Sequence, residues 1–190
     1  MKYRSILLFG APGSGKGTQG KILGTIPDFI HWSSGDVFRN LQPESPLGKT
    51  FLDYSSRGQL VPDAPTIQLW RHSMENLTKT GRLHPERDLL VLDGIPRNVH
   101  QAEILRDVLG VFYLYSRDFE GLVARIQRRA MKENRLDDAN IEVIRQRLKT
   151  YENETLPVLK FYGEELVHKI NADHSPVAVL ADILRFTLNK

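Results

Sequence analysis

The chain has 190 residues, 41% hydrophobic and 26% charged, with no cysteine, a usage close to that of globular domains and unlike that of disordered or fibrous chains. The length suits one domain with small inserts, and the missing cysteines exclude disulfides, thiolate metal sites, iron–sulfur clusters and cysteine nucleophiles. Net charge is +3 at pH 7, which leaves nucleic acid, an anionic surface and a small polyanion open as partners, whereas no apolar run approaches the ~20 residues that span a bilayer or forms a signal peptide, so a soluble cytoplasmic protein is expected.

Residues 4–9 (RSILLF) form a short apolar run ending at glycine, the pattern of a strand buried on both faces of a parallel sheet. Gly10-Ala11-Pro12-Gly13-Ser14-Gly15-Lys16-Gly17-Thr18 follows and opens a helix holding Gln19, Ile22 and Leu23. Residues 34–62 hold short helical pieces broken at Pro43, Pro46 and Gly58 and read as an insert. Ile67, Trp70, Met74 and Leu77 recur at helical spacing, and Trp70 and Met74 are expected in the core rather than as a platform for stacked bases. Residues 89–92 and 111–115 are further strand runs, with a weaker one at 166–170. Phe119, Leu122, Val123 and Ile126, then Ile141, Ile144, Leu148 and Tyr151, trace two helical stripes flanking a polar stretch, 130–140, that reads as a second insert. Ser175-Pro176 supplies the N-cap and first-turn proline of a last helix, whose apolar face is expected at Val177, Leu180, Leu184 and Leu188. Strands alternating with helices imply a parallel α/β sheet.

The glycine-rich segment carries the chemistry. Its glycines let successive backbone N–H groups converge on an anion, the helix N-terminus adds about half a positive charge, and Lys16 adds a full one. Glycine, four residues, glycine, lysine between a strand and a helix is the P-loop frame that holds phosphates. The common form places Ser or Thr directly after the lysine to hold magnesium; here Gly17 intervenes and the hydroxyl comes at Thr18, so the metal's anchor is to be sought elsewhere. The most basic stretch, 125–147, also carries Glu133, Asp137, Asp138 and Glu142, so it is no basic tail. His72, His84, His100, His168 and His174 show no metal-ligand spacing and read as solvated or structural.

The P-loop at 10–18, Ser34-Gly35-Asp36-Val37-Phe38-Arg39, Gly58-Gln59-Leu60-Val61-Pro62, Asp93-Gly94-Ile95-Pro96-Arg97 with Gln101, and Arg129 with Arg135-Leu136-Asp137-Asp138 and Arg147 resemble, in order, the motifs of adenylate kinases. The resemblance covers nearly the whole chain. It implies a three-layer P-loop fold with a five-stranded parallel sheet and helices on both faces, one kinase domain over 1–190, a nucleoside-monophosphate-binding insert at about 34–62 and a short lid at about 130–140. A lid this short is similar to the form without a zinc-bearing hairpin, so no protein-bound zinc is expected. The implied reaction is reversible transfer of the terminal phosphoryl group of MgATP to AMP, giving two ADP, by a monomer without nucleic acid or membrane as partner. Ile95 stands where the family usually has phenylalanine and Ser34 where many members have threonine; neither change removes a charge.

Phosphoryl transfer between two polyphosphates needs dense, fixed positive charge and a metal ion more than a proton shuttle, because the acceptor is already an oxyanion. The resemblance assigns Lys16, Arg97, Arg129, Arg135 and Arg147 to catalysis. It assigns Gly13, Ser14, Gly15, Lys16, Gly17, Thr18, Arg125 and Arg129 to ATP, with Arg125 over the donor adenine. To AMP it assigns Ser34, Arg39, Gln59, Val61, Gly94, Arg97, Gln101, Arg135 and Arg147. Asp93, at the carboxyl end of a buried strand where open α/β sheets bind ligands, and Asp36 would hold Mg2+ through water. Asp137 and Asp138 read either as anchors for the lid arginines or as caps of the next helix. Two other readings stay open: a pyrimidine-monophosphate kinase, against which the Gln101 amide favours an adenine edge, and a nucleotide-dependent nucleic-acid-binding module, against which no aromatic stripe accompanies the arginines.

Overall fold

The computed structural model describes residues 3–133 and 140–187. Five parallel strands, β1 (Ser5–Phe9), β2 (Phe29–Ser33), β3 (Leu89–Asp93), β4 (Gly110–Tyr115) and β5 (Val167–Asn171), form one sheet in the order β2-β3-β1-β4-β5. Each helical connection returns the chain to the same end of the sheet, as parallel pairing demands. Period-two alternation then splits the apolar residues of β1 between two cores: Leu7 and Phe9 pack with Trp32, Met74, Leu90 and Leu92, whereas Ile6 and Leu8 pack with Leu23, Val91, Phe112, Val179 and Ile183. Helices α1 (Lys16–Leu23) and α9 (Pro176–Thr187) cover the second face; α4 (Asp63–Lys79), α5 (Val99–Ile104) and α8 (Val158–Tyr162) cover the first. A third cluster of Leu122, Val123, Ile126, Ile144 and Leu148 joins α6 (Phe119–Glu133) to α7 (Ile141–Thr150). This is the expected three-layer fold.

The element β2 has no counterpart in the strand runs read from the sequence. It lies at the sheet edge and reads FIHWS, with Trp32 its only fully buried residue, so it never makes a continuous apolar run. The last helix begins at Pro176 as expected, but its apolar face is turned. Val177 is 76% exposed, while Val179 and Ile183 are buried and Leu180 and Leu184 flank them. The segment VAVLADILRF is apolar nearly all round, so periodicity cannot choose its phase; Leu188 lies outside the described residues. Ile141, at 36% exposed, sits at the rim of its stripe, and Ile144 and Leu148 carry the burial.

Between β2 and α4 the chain makes two short helices, α2 (Ser34–Arg39) and α3 (Pro46–Ser56). Ser33 caps α2 by accepting the Asp36 N–H, and Ser45 caps α3, whose first residue is Pro46. In the second polar stretch, residues 130–133 are the last turn of α6 and Asn140 caps α7; the rest of the expected lid lies outside the described residues.

Candidate active site

Strand β1 delivers the chain to the glycine-rich loop at the carboxyl end of the sheet. Gly13 (φ 83°) and Gly15 (φ 94°) take left-handed backbone that other residues rarely adopt, and Gly15 leads into α1 with no side chain to satisfy the helix's first N–H groups and no acidic residue in its first turn. Those N–H groups are left for an anion. Lys16 Nζ folds back over the loop and donates to the carbonyls of Gly10 (2.8 Å) and Ala11 (3.0 Å). Burial there, only partly countered by Asp93 and reinforced by Arg129, Arg97 and Arg147, lowers the Lys16 ammonium to about 8. Ser14 Oγ, buried within the loop, has no hydrogen-bond partner among the described residues.

Around this loop opens a cleft of about 740 Å³. Asp93 ends β3, in register with Leu8 of β1 and Ser33 of β2, which puts its carboxylate beside the start of α1. Arg125 and Arg129 reach the cleft from α6, Arg147 from α7, Arg39 from α2 and Arg97 from the loop after β3. Arg39 pairs with Asp36 at 2.6 Å, and Arg97 Nε donates to the Gly94 carbonyl at 2.7 Å. Arg125 donates to the Ala172 carbonyl (3.0 Å) and lies 3.6 Å from Asp173. The Ser116 hydroxyl, the Arg117 N–H and Arg125 together outweigh burial and hold Asp173 below the usual carboxylate range, which favours the ionised carboxylate beside Arg125.

A side pocket of about 50 Å³ continues from the cleft behind Arg39, Arg97 and Arg147. Ser34, Phe38, Val61 and Gln101 line it, and Ser34 Oγ donates to the Gly94 carbonyl at 2.9 Å. Gln101 is 1% exposed, and its amide already has protein partners: Nε2 donates to Asp63 Oδ1 at 2.6 Å, and Oε1 accepts the Arg97 N–H at 2.9 Å.

Each described candidate residue lines the cleft, the side pocket or both. Gly13, Ser14, Gly15, Lys16, Gly17, Thr18, Asp36, Asp93, Gly94, Arg125 and Arg129 border the cleft; Ser34, Val61 and Gln101 border the side pocket; Arg39, Gln59, Arg97 and Arg147 border both. Arg135, Asp137 and Asp138 lie outside the described residues. Sequence reasoning missed Asp63, Asn98, Thr150 and Thr155. Thr155 Oγ1 donates to the Arg97 carbonyl (2.8 Å) and Thr150 Oγ1 to the Gly58 carbonyl (3.1 Å), so the end of α7 and the turn after it brace two motif loops. One signal was available for Asp63, which directly follows Gln59-Leu60-Val61-Pro62. The threonines carried none, because their partners are backbone atoms far away in sequence. His100, expected to be solvated or structural, is exposed and holds its Nδ1 2.8 Å from Asp63 Oδ2.

Among the described residues no group of three or more His, Asp or Glu is arranged to hold a metal ion by itself. Asp93 and Asp36 border the cleft together, and Asp36 is engaged by Arg39. Two carboxylates beside a phosphate loop suit a cation that arrives on phosphate and keeps its waters, as Mg2+ does.

Residues 8–167 match the model of a protein family described as Adenylate kinase. The chain is similar to an adenylate kinase of Thermobifida fusca (strain YX), 38% identical over 177 residues, which is 88% of this chain and 89% of the relative. It is also similar to one of Cyanothece sp. (strain PCC 7425 / ATCC 29141), 40% identical over 171 residues, 84% and 82% of the two chains. A third, from Flavobacterium psychrophilum, is 35% identical over 178 residues, 88% and 89% of the two chains.

Proposed function

From the premise that the chain belongs to the adenylate kinase family and is an ATP:AMP phosphotransferase acting on ATP, AMP and ADP, we propose a division of labour among its residues. ATP enters the cleft with its phosphates on the N–H groups of 13–18 and its adenine under Arg125, and Lys16 exchanges the carbonyls of Gly10 and Ala11 for phosphate oxygens. AMP enters the side pocket, its phosphate gripped by Arg39 and Arg97 and its base read by Gln101, with Ser34, Gln59, Val61 and Gly94 shaping the walls. An oxygen of the AMP phosphate attacks the terminal phosphorus of ATP, and the bond to the bridging oxygen breaks. Lys16, Arg129 and Arg147, joined by Arg135, hold the charge that spreads over the transferred group. No residue has to take a proton from the acceptor. Asp93 and Asp36 would hold, through water, the Mg2+ that when bound neutralises the donor's phosphate oxygens.

The observation that carries this reading is the shared wall. Arg39, Arg97 and Arg147 border both the cleft at the phosphate loop and the pocket ending at Gln101, so two phosphates placed in them would meet at the same guanidinium groups. Residues 34–62 then act as the acceptor-side insert and 130–140 as the lid of one domain spanning 1–190. A cytoplasmic monomer with no nucleic-acid or membrane partner completes the proposal, since one chain supplies both pockets; among the described residues no helix is long and apolar enough to cross a membrane. The test is ADP formation with AMP, CMP and UMP in parallel, beside retention of single-stranded DNA. Turnover strongest with AMP and no DNA retention is expected; a preference for a pyrimidine monophosphate would sink the role given to Gln101.

A further inference from the structure

Gln101, in the wall of the side pocket, belongs to a hydrogen-bond network built on one carboxylate. Asp63, at the start of α4, accepts from Gln101 Nε2 (2.6 Å) and Asn98 Nδ2 (2.8 Å) on Oδ1 and faces His100 Nδ1 (2.8 Å) on Oδ2. Asn98 in turn caps α5 by accepting the Gln101 N–H on Oδ1 (2.9 Å), so its amide cannot turn over without losing both bonds. A carboxylate only accepts and a backbone N–H only donates. The Gln101 amide therefore has one allowed polarity: Nε2 toward Asp63 and Oε1 toward the Arg97 N–H (2.9 Å). Turned over, it would set oxygen against carboxylate and N–H against N–H at a residue that is 1% exposed.

We propose that Asp63 is a positioning residue that locks the polarity of the Gln101 amide and thereby selects acceptors with a 6-amino purine over those with a 6-oxo purine. The inference rests on the reading that Gln101 meets the acceptor's base. Adenine presents a donor at its 6-amino group and an acceptor at the adjacent ring nitrogen; hypoxanthine and guanine present the reverse. A glutamine free to turn over can match either edge. Held by Asp63, Gln101 keeps one N–H and one oxygen lone pair for a base, in an order that cannot be reversed, so a 6-oxo base meets donor with donor and acceptor with acceptor. Asp63 is suited to this because it stays ionised: burial pushes its carboxyl up, but the hydrogen bonds from Asn98, Gln101 and His100 outweigh that and hold it below the usual range.

The test compares kcat/KM for AMP and IMP at saturating MgATP in the full chain carrying Asp63→Ala, Asp63→Ser, Asp63→Asn or Gln101→Leu. Removing the carboxylate in Asp63→Ala or Asp63→Ser is expected to reduce the AMP-to-IMP ratio about tenfold, mostly through a higher KM for AMP, with KM for MgATP unchanged. Asp63→Asn, whose carbonyl can still accept from Gln101, is expected to keep the ratio within about threefold. A role limited to folding would lower activity toward both acceptors alike and leave the ratio in place. An unchanged ratio in whichever of Asp63→Ala and Asp63→Ser folds, beside its loss in Gln101→Leu, overturns the inference and leaves the reading of Gln101 standing. An unchanged ratio in Gln101→Leu overturns that reading first.

Discussion

On the proposed assignment, Lys16 serves two states. Without nucleotide it stabilises the loop by donating to the Gly10 and Ala11 carbonyls, and its ammonium is depressed to about 8. Replacing it with methionine should leave the fold intact and reduce kcat more than ~100-fold, because one preorganised charge on a transferring phosphoryl group contributes about 3 kcal/mol or more; steady-state rates with a circular-dichroism control check this. The depressed value has a sign. Below about pH 8 the free enzyme carries the charge that phosphate needs, and above it the lysine is neutral. kcat/KM for MgATP, which reports the free enzyme, should fall as pH rises through about 8, and Lys16→Met should lack that fall. On the acceptor side, Gln101→Leu and Arg97→Ala should part ways. Loss of the amide leaves base atoms unpaired at ~1 to 3 kcal/mol each, so it should weaken AMP far more than UMP, whose 4-oxo group and N3–H present the reverse order and have no such pairs to lose. Loss of Arg97 should weaken every monophosphate alike, since a phosphate carries no base information. Equal losses of AMP and UMP turnover in Gln101→Leu would remove the base reader.

At the scale of elements, the segment Tyr151–Thr155 makes one π-helical turn between α7 and α8 and turns Thr155 toward the Arg97 carbonyl. A π turn inside a helical run is a frequent mark of function. Thr155→Val keeps the shape and deletes the hydroxyl, so it should lower the urea midpoint by an amount worth about 1 kcal/mol with the m-value unchanged, and raise KM for AMP as the Arg97 loop loosens. A midpoint shift with KM for AMP unchanged would make the brace purely structural. The elements also divide by how their signal is written. β1, β3 and β4 are continuous apolar runs because both faces of a parallel sheet are covered, and such runs are legible in one dimension. β2 is half-covered at the edge, and α9 is apolar on too many sides; each needed its neighbours to define a buried face.

For the molecule as a whole, the arginines belong to elements far apart in the chain, with Arg39 on α2 and Arg129 on α6 both lining the cleft. A site that must exclude water from the phosphoryl group has to close over it. A bisubstrate dinucleoside polyphosphate should therefore draw residues 34–62 and 130–140 toward the phosphate loop, and Arg39 should exchange Asp36 for phosphate. Crystal structures with and without the analogue that superpose in both segments would count against closure. What the amino-acid sequence determined by itself was local: the phosphate loop, because anion binding there depends on consecutive backbone groups and one adjacent lysine, and the strand–helix alternation, because burial on two faces leaves a periodic trace. The tertiary structure alone decided which side chains share an atom. Asp63, Asn98 and Gln101 meet because α4 and α5 start side by side, and Thr150 and Thr155 reach Gly58 and Arg97 because the end of α7 and the turn after it border the same cleft as those loops. Hydrogen bonds to such distant partners leave no period or spacing in the chain, since any polar residue at the same place would read the same until the fold supplies its neighbour.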